Sequence, residues 1–235
     1  MNILINYAHL AYYASREENS SSGLEVAGFD KVIKYTVEDI DEDYREKHKN
    51  ILNNRRGAGL WMWKPYIINK TLNQMTEDDV LFYSDSGATF LQSAKPYIDA
   101  CRADKNGLIL FKDGHINKKF TKRDCFVYMG ADKEEYTDTL QLTAGFQLVR
   151  KTNLTLKFYE EYLRYAENEN IISDLPNTCG LPNYPEYEDH RHDQSICTNL
   201  SVKYAITTLP DPSQFGDPVR RQGFPRIVDL HRRRH

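Results

Sequence analysis

An acidic residue directly follows the segment with the strongest strand signal in the sequence. The apolar run Val80–Ser84 (VLFYS) leads into Asp85, and the small residues Ser86 and Gly87 come next. A carboxylate with small neighbours leaves room for a phosphate or a metal ion to approach the backbone. The competing interpretation is that Asp85 only caps the following turn or helix.

Basic residues and glycines cluster between positions 55 and 65 (RRGAGLWMWKP). Guanidinium groups make bidentate contacts with phosphates, so Arg56 and the nearby Lys64 suit a diphosphate. A P-loop is excluded because no GK[ST] follows the glycines. Trp61 and Trp63 either pack in the core or contact a ligand. Because residues at i and i+2 cannot share one helix face, we expect different environments for them, with one largely buried.

A third candidate is Asp193-Gln194, which follows the long irregular segment Ile171–Arg191 and enters a helix. Loops of that length in compact domains are usually functional or disordered. Tyr184 and Tyr187 in this loop offer faces that could cover a sugar or an acceptor. The helix start suits an anionic ligand, whereas the alternative role for Asp193 is helix capping.

Two other kinds of site are weaker. A zinc site would combine His190, His192, Cys179 and Cys197, but their spacing is unlike the common zinc signatures. A Ser-His-Asp hydrolase would need a GxSxG elbow, which the sequence lacks. Two further segments carry candidate residues: Leu142–Phe146 (LTAGF), which opens a strand with small side chains, and the basic end His231–His235 (HRRRH).

Apolar runs that alternate with helical segments must position these residues. The predicted strands are Asn2–Tyr7, Lys31–Tyr35, Val80–Ser84, Leu108–Phe111, Ala144–Arg150 and Ala205–Leu209. The predicted helices are 41–55, 65–75, 92–103, 154–168 and 192–204, with a loop at 19–23. This alternation predicts an α/β fold with a mainly parallel sheet and helices on both faces. Ligands in such sheets lie beyond the carboxyl ends of the strands, near Tyr7, Asp85 and Phe111.

Composition excludes several classes of protein. The 235 residues carry 31 Lys+Arg and 34 Asp+Glu, a net charge of −3, which is not the basic footprint of a nucleic-acid binder. An apolar content of 40% and a mean hydropathy of −0.67 exclude a disordered chain and an integral membrane protein. The four cysteines form no CxxC pair, and we find no signal peptide or transmembrane segment. We therefore expect a cytoplasmic protein.

The order of the segments resembles that of nucleotide-sugar glycosyltransferases of the GT-A fold. VLFYSDSG, LTAGFQLV and HDQSICTNL correspond to the DxD strand, the "NAG" strand and the "DQ" helix start of glycogenin-like and lipopolysaccharide galactosyltransferase-like enzymes. GFDKVIKY and RRGAGLWMWKPYIINKTL resemble segments of bacterial and viral polysaccharide-type transferases. The resemblance covers about residues 2–208. It implies one domain over 1–235, with a nucleotide-binding half (1–111) and an acceptor and sugar half (112–235).

The residues and the resemblance together assign roles. Asp85 matches the first acid of DxD, which touches the donor ribose and the metal, whereas Gly87 replaces the second acid. Asp193 and Gln194 match the catalytic DQ pair. The expected donor-binding residues are Tyr7, Arg56, Lys64, Asp85, Ser86, Thr143, Ala144, Gly145 and Arg232, and the expected metal ligands are Asp85 and His231.

The resemblance implies a hexosyl- or pentosyltransferase that acts in polysaccharide biosynthesis. The donor would be a nucleotide diphosphate-sugar, with a UDP-sugar favoured, and the acceptor a glycan hydroxyl. Mn²⁺ or Mg²⁺ would stabilise the leaving diphosphate. One alternative is a nucleotide-sugar-binding protein of the same fold without turnover, which Gly87 favours. A third alternative is a hydrolase or a nucleotidyltransferase on a related sheet. Tyr7-Ala8-His9 argues against the nucleotidyltransferase, because these residues stand where its Gly-rich loop with Lys or Arg would be.

Overall fold

A computed structural model describes residues 1–217 and 223–231. Its strands are β1 (Asn2–Tyr7), β2 (Lys31–Tyr35), β3 (Val80–Ser84), β4 (Ala88–Phe90), β5 (Leu108–Ile116), β6 (Leu140–Arg150), β7 (Thr207–Pro210) and β8 (Val228–Leu230). Its helices are α1 (Tyr13–Ser22), α2 (Glu42–Lys47), α3 (Lys49–Leu52), α4 (Gly57–Leu60), α5 (Trp63–Gln74), α6 (Lys95–Ala103), α7 (Arg123–Tyr128), α8 (Glu134–Thr137), α9 (Asn153–Ala166), α10 (Glu169–Ile172) and α11 (His192–Lys203).

A six-stranded sheet in the order β2-β1-β3-β6-β5-β7 forms the centre of the molecule. The β1–β2, β1–β3 and β5–β7 pairs are parallel, whereas β6 is antiparallel to both β3 and β5. Since β6 runs against both of its neighbours, the other five strands point the same way. The prediction of a mainly parallel α/β sheet is confirmed.

Helices cover both faces of this sheet. Side chains alternate along each strand, so neighbouring residues of β3 enter different cores. Leu81 belongs to the core that contains Ile67 of α5, whereas Phe82 belongs to the core that contains Tyr97 of α6. All four side chains are buried. The sheet is therefore packed on both faces, and its strand ends carry the candidate residues.

The loop predicted at 19–23 is wrong, because α1 runs through it to Ser22 and a π-helical turn follows. Serine and asparagine usually compete with helical hydrogen bonds, but here they are buried and satisfied. Asn19 donates to the Ser84 hydroxyl (3.1 Å) and to the Ala88 carbonyl (2.8 Å). Ser20 donates to the Arg16 carbonyl. The two Asn19 bonds hold α1 against the end of β3 and the start of β4.

Other helix and strand boundaries in the structure also differ from those predicted. The helix expected over 41–55 is two short helices, α2 and α3, separated at the non-helical His48 (φ −112°, ψ 25°). The His48 side chain is buried, with its ring 4.6 Å from that of Tyr44. The helix expected from 92 begins at Lys95 because Pro96 occupies its first turn. Strands β5 and β6 are longer than their apolar runs, since they pair beyond them up to Ile116 and Leu140.

A small second sheet brings the end of the described chain beside the Asp85 segment. Strand β4 pairs antiparallel with β8, and Ala88 lies opposite Leu230. Because the strands run in opposite directions, His231 follows at the position next to Gly87. Within residues 1–217 and 223–231, no helix has the length and apolar character needed to cross a bilayer.

Candidate functional site

Asp85 lies at the carboxyl end of β3, as its position after VLFYS predicts. Its backbone N–H donates to the Gly145 carbonyl (2.8 Å), which fixes it against β6. The Tyr83 hydroxyl donates to Asp85 Oδ1 (2.6 Å). The Asp85 side chain remains 35% exposed, so one carboxylate oxygen is available to a ligand.

Lys64 connects this strand end to the start of α11. Its Nζ lies 2.8 Å from Asp193 Oδ2 and 3.6 Å from Asp85 Oδ1, and only 3% of its side chain is exposed. It also lies 5.2 Å from the centre of the Tyr83 ring, within cation–π range. Three candidates from distant parts of the sequence therefore meet in one cluster: Lys64, Asp85 and Asp193.

The charges of this cluster do not balance. One ammonium and two carboxylates sum to −1 when all are ionised. Burial lowers the pKa of Lys64, but the Asp193 and Asp85 carboxylates outweigh that effect and raise the pKa above its ordinary value. Lys64 therefore remains a cation. Burial raises the pKa of Asp193 against the opposing effect of Lys64, and Asp85 raises it further.

Asp193 is more enclosed than its sequence position suggested. The Tyr162 hydroxyl donates to the Asp193 backbone carbonyl (2.9 Å) and lies 3.4 Å from Oδ2, and 5% of the side chain is exposed. Capping does not explain this residue, because Arg191 occupies the N-cap position of α11. Asp193 instead directs its carboxylate to Lys64, through which it is linked to Asp85.

Gln194 is held from two sides by residues that sequence reasoning missed. Its amide donates to Asp113 Oδ2 and to Gln141 Oε1, both at 2.9 Å. Arg191 pairs with the same Asp113 carboxylate. Burial raises the pKa of Asp113. Asp113 lies on β5 just beyond the apolar run LILF, so the signal that identified Asp85 after β3 could also have identified Asp113.

The small residues on β6 border the Asp85 carboxylate. A Cβ placed on Gly145 would lie 3.0 Å from Asp85 Oδ2, so only glycine leaves that oxygen open on this side. The Thr143 hydroxyl accepts a bond from the Gly145 N–H (3.3 Å). The Ala144 N–H donates to Gln194 Oε1 at a long 3.4 Å. The segment 143–145 therefore joins Asp85 to Gln194.

Tyr7 and Trp63 form a stacked pair beside the cluster. Their ring centres are 3.8 Å apart with an interplanar angle of 17°. Burial raises the pKa of Tyr7, with Glu38 adding to the effect. Trp63 is 5% exposed, whereas Trp61 is half-buried beside His192. The prediction that the two tryptophans have different environments, with one largely buried, is confirmed.

A left-handed backbone turn lies just before Trp63 and Lys64 in the chain and sets the path of the backbone into α5. The φ angles are positive at every residue from 57 to 61, including Ala58, Leu60 and Trp61. Such a conformation costs about 1–2 kcal/mol per non-glycine residue, and strain of this kind concentrates at functional sites. A Cβ on Gly57 would lie 2.3 Å from the Trp61 ring. Gly57 is therefore required by the turn itself, because a larger residue would clash with Trp61.

Arg56 has partners in the long loop. Its guanidinium lies 2.6 Å from Asp189 and 3.3 Å from Asp174, and its side chain is 41% exposed. Arg56 is therefore not joined to Asp85 by any direct contact, and it links the left-handed turn to the loop before α11. The pKa of Arg56 is raised, chiefly by its hydrogen bond to Asp189.

The expected metal ligands show a partial fit. Ser86, an expected donor contact, is buried. The His231 side chain is 5% exposed, and His231 follows β8 beside Gly87. His231 Nε2 lies 4.0 Å from Glu18 Oε2. In the part of the chain that the structure describes, no three His, Cys, Asp or Glu side chains are grouped to hold a metal. Arg232, the remaining expected donor contact, lies outside the described residues.

The alternative zinc site is not supported. The described residues include His190, His192, Cys179 and Cys197, and these four do not form a group that could hold a metal. The side chains of both histidines instead contact backbone carbonyls at the end of α10. His190 Nε2 lies 2.8 Å from the Ile171 carbonyl, and His192 Nδ1 lies 2.7 Å from the Ile172 carbonyl. Burial lowers the pKa of both imidazoles.

Neither a family model nor a curated protein matches this sequence. Among solved structures, the chain is similar to apo mouse xyloside xylosyltransferase 1 (TM-score 0.48, 11% identity, 88% of this chain and 83% of that one). It is also similar to galactosyltransferase LgtC in complex with donor and acceptor sugar analogues (0.46, 15%, 97% and 86%). A third match is the bifunctional glycosyltransferase WbbM in its apo form (0.48, 10%, 88% and 38%). All three of these proteins are glycosyltransferases.

Proposed function

We propose that this chain is a GT-A-type glycosyltransferase that moves a sugar from a nucleotide diphosphate donor, with a UDP-sugar favoured, to a glycan hydroxyl. In this proposal residues 1–111 bind the nucleotide and residues 112–235 hold the sugar and the acceptor. The transferred group is a hexose or a pentose. The donor contacts are those expected from the sequence, with Asp85 at the centre.

The observation that carries this proposal is the position of Lys64 between Asp85 and Asp193. The end of β3, the basic helix segment and the start of α11 are far apart in sequence, yet one buried ammonium joins them. A buried ion pair is costly unless its charges are compensated, so such a cluster beside a partly open carboxylate suits a functional site better than a purely structural one. Gly145 supports this reading because it keeps Asp85 Oδ2 accessible.

These residues can serve each stage of sugar transfer. In the reaction the bond between the anomeric carbon and the diphosphate oxygen breaks. The acceptor oxygen bonds to that carbon, and its proton passes to the departing diphosphate. We assign Asp85 to the donor, the segment 143–145 with Gln194 to the sugar, and Asp193 to the orientation of Lys64. The charged groups of the protein are already in position before the reaction. They therefore lower the free energy of the transition state without any reorganisation of the protein.

A divalent cation, Mn²⁺ or Mg²⁺, would be held by Asp85 and His231 together with the donor diphosphate. An oxygen and an imidazole nitrogen are acceptable ligands, and the net charge of −1 on the Lys64 cluster favours a cation nearby. When bound, the cation would neutralise the leaving diphosphate. Gly87 contributes no ligand, so the protein supplies fewer metal contacts than a full DxD motif.

A nucleotide-sugar-binding protein without turnover is the second candidate, and the loss of the second acid at Gly87 favours it. An assay with a panel of UDP-, GDP-, ADP- and dTDP-sugars and neutral oligosaccharide acceptors, with Mn²⁺ and with excess EDTA, separates the two. Release of nucleoside diphosphate supports a transferase. Binding of a donor without release supports the binding protein, and neither binding nor release contradicts both.

A further inference from the structure

A cavity of about 610 Å³ lies between residues 116–119 on one wall and residues 185–188 on the other. The Glu188 N–H donates to the Lys119 carbonyl (2.8 Å) and joins the two walls. The wall that contains Tyr187 belongs to the long loop that precedes α11. We call this cavity the Tyr187 groove. Within residues 1–217 and 223–231, none of the residues assigned to the donor lines it.

Both walls of the Tyr187 groove lead to the residues that hold Gln194. One wall continues from β5, which carries Asp113 three positions before Ile116. The other wall continues to Arg191, which pairs with Asp113 and lies 3.8 Å from the centre of the Phe120 ring. Asp113 in turn accepts a hydrogen bond from Gln194. A molecule in the groove would therefore have one end near the sugar-binding part of the site.

The lining suits the faces of carbohydrate rings. Ile116 is 39% exposed, Pro185 is exposed and Tyr187 is half-buried, so apolar surface lines both walls. Tyrosine combines a flat apolar face with a polar tip. Burial raises the pKa of Tyr187 to about 12, with Asp189 adding to the effect, so the hydroxyl stays protonated at neutral pH. Tyr184, by contrast, donates its hydroxyl to a carboxylate outside the groove.

The charged side chains around the groove compensate one another. Lys118 lies 2.8 Å from Asp138 and 3.4 Å from Glu186. Lys119 lies 3.0 Å from Glu188. Among the described residues, the two lysines thus face three carboxylates, so these side chains leave no excess of positive charge to attract a polyanion. The groove therefore favours an uncharged ligand over a sulfated or phosphorylated one.

We propose that the Tyr187 groove binds a neutral oligosaccharide, which is the acceptor of the transfer reaction. This rests on the proposed function, because an acceptor needs a donor site beside it. Tyr187 and Ile116 hold the sugar rings from opposite walls, and the end nearest Asp113 presents the reacting hydroxyl toward Gln194.

Direct binding tests this assignment without any activity assay. Saturation-transfer NMR and calorimetry would use maltotriose, cellotriose and xylotriose as neutral probes and a heparin tetrasaccharide as the anionic probe. The proteins are the wild type, Tyr187→Ala, Tyr187→Phe and Ile116→Ser. Leu91→Ser is the matched control, because Leu91 is also an exposed aliphatic side chain (49%) but lies outside the groove.

We expect at least one neutral trisaccharide to bind the wild type, Tyr187→Phe and Leu91→Ser with similar affinity. Tyr187→Ala and Ile116→Ser should each weaken binding about tenfold, which corresponds to about 1.4 kcal/mol. Equal binding by Tyr187→Ala and Ile116→Ser, binding of heparin alone, or no neutral binding would overturn the proposal. A wild type that binds these sugars but consumes no nucleotide sugar would instead count against the proposed function.

Discussion

The ammonium group of Lys64 lies 2.8 Å from the carboxylate of Asp193, and both side chains are almost fully buried. The same ammonium is 3.6 Å from Asp85, whose side chain is 35% exposed. Lys64 thus connects a carboxylate inside the protein to one that a ligand can reach. Removal of the enclosed Asp193 carboxylate should therefore affect the exposed Asp85, because both carboxylates contact Lys64.

Lys64→Met should destabilise the protein strongly. It leaves the buried Asp193 carboxylate without its cationic partner, and removal of one member of a buried pair costs about 3–5 kcal/mol. The measurement is the free energy of unfolding in urea. Lys70→Met is the matched control, because Lys70 pairs with an exposed carboxylate on Asp41, and such pairs contribute up to about 1 kcal/mol. If the two variants lose the same free energy of unfolding, the buried pair contributes no more to stability than the exposed pair does.

Asp193→Asn should lower kcat by at least about tenfold, equivalent to about 1.4 kcal/mol of lost transition-state stabilisation. The amide keeps the shape of the side chain but removes the charge that orients Lys64. Steady-state kinetics with a saturating donor measures the effect. Asp99→Asn, which removes a charge from an exposed pair with Lys95, should keep the wild-type kcat. If Asp193→Asn folds normally and retains kcat, the assigned role of Asp193 fails.

Gly145→Ala should slow turnover by crowding Asp85. The new Cβ would lie 3.0 Å from Oδ2, so the carboxylate must move, whereas the strand itself can accept alanine. The test is a double-mutant cycle with Asp85→Ala. Once the carboxylate is absent, adding Gly145→Ala should change the residual rate by no more than about twofold. Additive losses would mean that Gly145 acts independently of Asp85.

Stability should fall as the pH drops below about 6.5. Burial lowers the pKa of His190 well below its ordinary value and lowers that of His192 as well. The unfolded chain therefore takes up protons that the folded chain does not. This stabilisation is fully present above the unfolded pKa and is lost as the pH falls toward the folded values, at no more than about 1.4 kcal/mol per pH unit for each histidine.

Unfolding measured between pH 7.5 and 5 in His190→Gln tests this linkage. Its stability should depend less on pH than that of the wild type, because one of the two buried imidazoles is gone. His9→Gln is the control, since His9 is exposed, and it should follow the wild-type slope. An unchanged slope in His190→Gln would contradict the linkage.

Local sequence patterns predicted the central strands well. Strands β1, β2 and β3 begin and end where their apolar runs do, because those runs are bounded by polar residues or turns. The position of Asp85 at a strand end followed from the same pattern. The polar helix α1 did not, since Asn19 and Ser20 are helical only because buried partners such as Asn6 satisfy them.

Contacts between distant segments were harder to predict. Nothing near Lys64 in the sequence indicates that Asp193 is its partner, and a lysine after glycines and tryptophans reads as a phosphate ligand. The reversed direction of β6 and the pairing of β4 with β8 also depend on tertiary packing. Asp113 carried a local signal, but its role became visible only once Gln194 and Arg191 were seen to share its carboxylate.

The most direct measurement is the rate of UDP release from UDP-sugars by the wild type and by Asp85→Ala, together with their affinities for the donor. We predict release by the wild type and a rate at least about tenfold lower in Asp85→Ala. Equal rates and equal donor affinities in the two proteins would contradict the placement of the donor at the end of β3.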